Sequence, residues 1–176
     1  IMSPINDPPA EAVGLDGIEK IVRDESLINA CKDGQDLDAR WNMMMASTEG
    51  AMAFSKGLGA VHSMSHAIGA NQELRLHHGT LNGVILPTVI RFNKDHVGNK
   101  LPRILRAMGK SESADLADEI EKFNEKINLP SGLKEMGVTE EMIPELVEHS
   151  ITDPSNVTTP RLPSPEEWEQ LFLSAM

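Results

Sequence analysis

Apolar side chains in this chain recur at three- and four-residue steps along its length and nowhere alternate with polar ones, the pattern of helices that each bury one face. Aromatic residues make up only 3% of the 176, so the commonest strand-forming side chains are thin on the ground. The expectation is an all-α fold: one domain over residues 1–176, a bundle of about seven to nine helices.

Punctuation supports that division. Asp7 ahead of Pro8 and Pro9 reads as an N-cap with prolines in the first turn, and Val13, Ile18, Ile21 and Val22 carry the helix to near Ser26. After a link through Cys31, Asp33 and Gly34, Asp36 caps a long helix. There Leu37, Trp41, Met44, Thr48 and Met52 form a stripe expected to face the core, with Met43, Met44 and Met45 as flexible filling. Gly57 and Gly59 turn the chain into a short apolar helix ending at Gly69, expected as its C′ residue, and a second begins near Thr80, kinked by Pro87. Leu101 to Met108 and Leu116 to Ile127 give two more helices. Thr139 caps another, and Ile151 to Pro163 lacks any period and predicts an extended loop. Ser164-Pro165-Glu166-Glu167 has the full capping-box pattern, with Trp168, Leu171 and Phe172 as anchors of a last helix.

A formal charge of −11 excludes a nucleic-acid backbone or anionic membrane as partner, since either needs a clustered basic face. The longest apolar run, Gly83 to Ile90, falls well short of the roughly 20 residues of a membrane span. The lone Cys31 forms no internal disulfide, and no cationic, apolar leader is present, so a cytoplasmic protein is expected.

Four of the six histidines fall between Gly57 and Asn93, in an otherwise apolar, small-residue stretch. His62 and His66, four apart on one helix, project from the same face. His77-His78-Gly79 then opens the next helix, with His78 facing back. Imidazoles from a helix and from the loop after it can meet on one divalent ion. Ser63 stands where a zinc protease of the H-E-x-x-H type has its glutamate, so that chemistry is excluded. His62, His66 and His78 are candidates for metal binding or proton transfer, while His96 and His149 read as surface or capping groups.

The wording GLGAVHSMSHAIG, followed by HHGTLNGVILPTVIRFN, resembles the metal-binding signature of the iron-containing (group III) alcohol dehydrogenases. The resemblance implies that His62 and His78 are metal ligands and that His66 lines the substrate and nicotinamide side as a catalytic residue. Many members have a shorter segment between the two ligands and one histidine before the glycine, so His77 competes with His78 for the role. The family's other ligands form Asp-x-x-x-His, a pattern absent from this chain. The expectation is therefore the C-terminal helical half of a two-domain enzyme, like the C-terminal domain of dehydroquinate synthase, without its nucleotide-binding half.

On that resemblance the cofactors are Fe2+ or Zn2+ and NAD or NADP, the nicotinamide held mainly by the absent domain. The reaction is hydride transfer between a small alcohol and its aldehyde or ketone, with His66 delivering the proton, in a homo-oligomer. The 176 residues alone are expected to be inactive and to expose Leu58, Val61 and Met64. Two other readings stay open: a non-enzymatic helical module that binds a metal or a partner, and a hydroxy-acid dehydrogenase of the 4-hydroxybutyrate type, with Arg75 pairing the substrate carboxylate.

Overall fold

A computed structural model describes all 176 residues and contains nine α-helices and no strand. Helix α1 (Pro8–Ile18) starts where Asp7 Oδ1 accepts the Ala10 N–H at 3.2 Å, and it runs on as one wider π-helical turn, Glu19–Arg23. Residues 24–33 are not the simple link expected. Glu25 turns with φ 54°, and a separate helix α2 (Ser26–Lys32) carries Cys31. Helix α3 (Leu37–Met52) is capped as expected, Asp36 accepting from Ala39 at 2.9 Å.

The stripe on α3 does not face the core. Leu37, Trp41, Met44 and Met52 are 76, 63, 66 and 59% exposed, and the face that is covered carries Ala39, Ala46 and Glu49. The reason is close packing against α1. A Cβ at Gly17 would lie 3.5 Å from the Ala46 carbonyl oxygen, and one at Gly14 would lie 3.3 Å from the Ala53 side chain. Small residues let the two backbones approach, and periodicity alone does not distinguish a face buried by small side chains from one carrying large ones. Helix α3 packs mainly on α1 and α2.

Helix α4 (Ala60–Gly69) follows a 3-10 turn and Gly57, whose φ of 74° and contact with Thr158 leave no room for a side chain: a Cβ would sit 2.3 Å from Thr158 Oγ1. Gly69 is the last helical residue and not a left-handed cap, since Ala70 continues in right-handed helical conformation. Helix α5 (His78–Asn93) begins two residues earlier than expected, because His77 itself is the cap: its Nδ1 accepts the Thr80 N–H at 3.3 Å. Pro87 has no N–H for the Gly83 carbonyl, and Asn124 Nδ2 donates to that oxygen at 2.8 Å instead.

The chain continues through α6 (Lys100–Ala107), α7 (Leu116–Lys126), α8 (Ile143–Thr152) and α9 (Pro165–Ser174). Thr139 leads into a 3-10 turn, Glu140–Met142, ahead of α8 and makes no side-chain cap. The stretch expected as a loop holds the end of α8 and a 3-10 turn, Pro154–Thr158, capped by Asp153. The Ser164 capping box is present. The main core joins α4, α5, α8 and α9 through Met64, Ile68, Leu81, Ile85, Trp168 and Phe172. Met64 is thus fully buried and Leu58 and Val61 are half-buried, contrary to expectation, and the large apolar side chains that stand exposed include Leu37, Trp41, Met44 and Met52 of α3 together with Phe54, Val157 and Leu162. No helix is long and apolar enough to cross a membrane.

Candidate metal centre

Helix α4 presents His62 and His66 one turn apart, and the start of α5 brings His78 against them. The three rings form a near-equilateral triangle, with centroids 5.7 Å (His62 to His66), 5.3 Å (His62 to His78) and 5.4 Å (His66 to His78) apart. His62 is half-buried, while His66 and His78 meet solvent. His77 lies outside the triangle, occupied in capping α5.

Asn82, one turn along α5 from His78, stands at the focus. Its Nδ2 lies 3.1 Å from His78 Nε2 and 3.5 Å from His62 Nε2, so one amide can donate a hydrogen to each lone pair. That arrangement places the His78 proton on Nδ1, 3.5 Å from Ser65 Oγ, whose own hydrogen goes to the His62 carbonyl at 3.2 Å. The Asn82 Oδ1 atom is buried without a partner. Burial, followed by the charges His78 and His66 would carry, lowers the His62 pKa, an effect that Asp153 opposes in part.

His66 turns the other way. Its Nδ1 is 2.9 Å from Asp153 Oδ2, across 87 residues of sequence. Asp153 Oδ1 accepts the Ser155 backbone N–H at 2.8 Å and faces Ser63 Oγ at 3.5 Å, and Ser63 also donates to Asn156 Oδ1 at 2.8 Å. Burial, the largest single influence on Asp153, raises its pKa. The Ser155 hydroxyl and amide, with His66, more than reverse this, so the carboxyl lies below its ordinary value. No set of three His, Cys, Asp or Glu side chains closes on one point, so the chain offers two convergent imidazole donors and a third ring beside them.

An apolar cavity of about 380 Å3 opens beside His62 and Asn82, walled by Leu58, Val61 and Leu86. A larger one, about 920 Å3, lies under α1, α2 and α7 and touches His77 but none of the triangle. Two members of the site escape sequence reasoning. Asn82 had a signal, the i, i+4 spacing from His78 on one helix face; Asp153 had none, because its partner is remote in sequence and its own segment reads as a loop.

The chain matches the Fe-containing alcohol dehydrogenase family, C-terminal, over residues 2–176. It belongs to the iron-containing alcohol dehydrogenase family. Among relatives, the 4-hydroxybutyrate dehydrogenase of Cupriavidus necator is 40% identical over 182 residues, 99% of this chain and 47% of that protein. The NAD-dependent methanol dehydrogenase of Bacillus methanolicus is 31% identical, over 96% of this chain and 46% of that one. Among solved structures, a 1,3-propanediol oxidoreductase superposes with a TM-score of 0.91 at 30% identity, over 99% of this chain and 47% of the other. The chain thus spans about half the length of the family members it matches, and its all-helical fold is the one that portion takes in them.

Proposed function

We propose that this chain is the metal-holding part of a nicotinamide-dependent alcohol dehydrogenase, with His62 and His78 as ligands of Fe2+ or Zn2+ and His66 as the residue that handles the proton. The observation that carries this reading is the convergence of two Nε2 atoms, from successive helices, on a single Asn82 amide. Neutral imidazole lone pairs aimed at a common centre suit a borderline divalent ion, and the unpartnered Asn82 Oδ1 marks a polar network that is not saturated by the protein itself.

Two donors are half of a usual set. With no Asp-x-x-x-His and no glycine-rich dinucleotide loop in the chain, the remaining ligands and the nicotinamide site belong, on this reading, to sequence outside these 176 residues. When bound, the metal supplies Lewis-acid polarisation of the alcohol or carbonyl oxygen and the nicotinamide supplies or takes the hydride. The chain's own residues do the rest. His62 and His78 offer their Nε2 lone pairs, with Asn82 beside both. Leu58, Val61 and Leu86 keep the adjoining cavity apolar. His66, exposed to solvent, passes a proton between the substrate oxygen and water.

In the active enzyme His62→Ala or His78→Ala should abolish bound metal and turnover together, whereas His66→Ala should keep the metal and lose rate, measured by metal analysis after dialysis and by NAD(P)H-dependent aldehyde reduction. Full metal content in both ligand variants refutes the assignment. Residues 1–176 alone should hold metal weakly and turn over nothing; stoichiometric metal with turnover would overturn the half-site reading. The 40% identity to a 4-hydroxybutyrate dehydrogenase, against 31% to a methanol dehydrogenase, favours a hydroxy acid among substrates. Equal kcat/KM on 4-hydroxybutyrate, methanol and 1,3-propanediol would remove that preference.

A further inference from the structure

We propose that Asp153 is a positioning residue: it fixes His66 as the Nδ1–H tautomer and holds the ring so that Nε2 is its free lone pair. The carboxylate is suited to this because both of its oxygens are assigned. Oδ1 takes the Ser155 backbone N–H at 2.8 Å as the cap of the Pro154–Thr158 turn, and Oδ2 faces His66 Nδ1 at 2.9 Å. A backbone N–H cannot reverse its role, so Oδ1 must remain an acceptor and Oδ2 is left for the imidazole. An ionised carboxylate accepts and does not donate, so the hydrogen in the 2.9 Å contact belongs to His66 Nδ1.

The turn that carries Asp153 is itself pinned to the helix that carries His66. Ser63 Oγ of α4 donates to Asn156 Oδ1 at 2.8 Å and Thr158 Oγ1 donates to the carbonyl of Leu58, two residues ahead of α4, at 3.1 Å, while Asn156 Nδ2 ties the turn to the end of α8 by donating to the Ser150 carbonyl at 2.7 Å. The Asp153 side chain is only 12% exposed against 41% for His66, so the acceptor is anchored and the ring is the part that needs orienting. The 16° stacking of His66 on His78 is compatible with this single ring orientation. The catalytic consequence rests on the dehydrogenase reading above; the tautomer does not.

That separation shapes the test. Asp153→Asn keeps shape but replaces one oxygen with NH2. The turn demands the remaining oxygen at the Ser155 N–H, so the NH2 faces His66 Nδ1, which must then accept and move its proton to Nε2. In the 15N-labelled, metal-free full chain, long-range 1H–15N spectra should show His66 as Nδ1–H in the wild type and Nε2–H in D153N, with the signals assigned by their loss in H66Q. A wild-type His66 already Nε2–H, or a D153N variant with unchanged tautomer, overturns the proposal. If D153N does not fold, the wild-type spectrum decides alone. In the active enzyme, D153N should lower kcat by roughly 10–100-fold, with KM for the alcohol and metal content nearly unchanged. Loss of metal, or a rise in KM alone, would contradict a positioning role. A correct tautomer pattern in a protein without dehydrogenase activity would leave Asp153 as assigned and sink only the functional reading.

Discussion

Helices α3 and α5 are the same length, 16 residues each, and both carry apolar side chains at helical spacing, yet they are used in opposite ways. Helix α5 buries Leu81, Val84, Ile85, Pro87, Val89, Ile90 and Asn93, a side that wraps into two core clusters. Helix α3 buries only Ala39, Ala46 and Glu49, leaves Leu37, Trp41, Met44 and Met52 in water and half-buries Met43 and Met45. Lys20 reaches Glu49 at 3.0 Å, so even part of the covered face of α3 is ionic. Large apolar residues on a helix thus mark a core only when a neighbour of matching size is available. Where glycines on the partner invite close approach, the buried face is the one with small residues.

The contrast is sharpest in stability. Leu81→Ala or Ile85→Ala in α5 should cost about 2–5 kcal/mol, since both are fully buried and leave a cavity. Leu37→Ala or Met44→Ala in α3 should change stability by no more than about 0.5 kcal/mol. Denaturant melts of the four variants check this, and equal losses on the two helices would erase the distinction.

A smaller effect separates the two through their backbones, because α5 alone carries an internal proline. Asn124→Ala strips the partner from the Gly83 carbonyl and should cost about 1–3 kcal/mol. In a Pro87→Ala background, where an N–H is restored to reach that carbonyl, the same change should cost measurably less. A double-mutant cycle reads the coupling; perfect additivity would show that the Asn124 amide is not compensating for the proline.

The smallest effect is on pH. Burial and the neighbouring rings hold the His62 pKa below its ordinary value of 6.5, so the folded metal-free chain binds fewer protons there than the unfolded one. His62 therefore lets stability be retained above the unfolded value and lost as pH falls below it. The ring signals of His62 should titrate below 6.5 in the metal-free chain, and H62Q should flatten the loss of stability between about pH 7 and 5. A His62 titration above 6.5 would reverse the sign.

Much of this architecture is legible in the sequence because its signals are local. Asp7, Asp36 and Ser164 cap helices within three residues of themselves, and the approach of His62, His66 and His78 follows from one turn of helix and one connecting loop. What escaped depends on distant partners. The face of α3 that is buried is decided by Gly14 and Gly17 of α1, and Asp153 acquires its role only from a helix 87 residues away. Helix α2, at seven residues, is too short to show a periodic stripe, and it follows a left-handed Glu25, a conformation for which a glutamate gives no warning.

The spacing of the site along the chain also orders its assembly in time. His62, His78 and Asn82 lie within 20 residues of one another, so their meeting requires only the closure of one short loop. Asp153 joins across 87 residues, with all of α5, α6, α7 and α8 between. A ribosome would release the histidine pair well before the turn that steadies His66. Non-local contacts of this kind form late, since their loop entropy must be met before they contribute. The two convergent nitrogens are thus an early product of folding and the Asp153 bond a late one, which makes the environment of His66, rather than that of His62 or His78, the natural reporter of when this domain has finished folding.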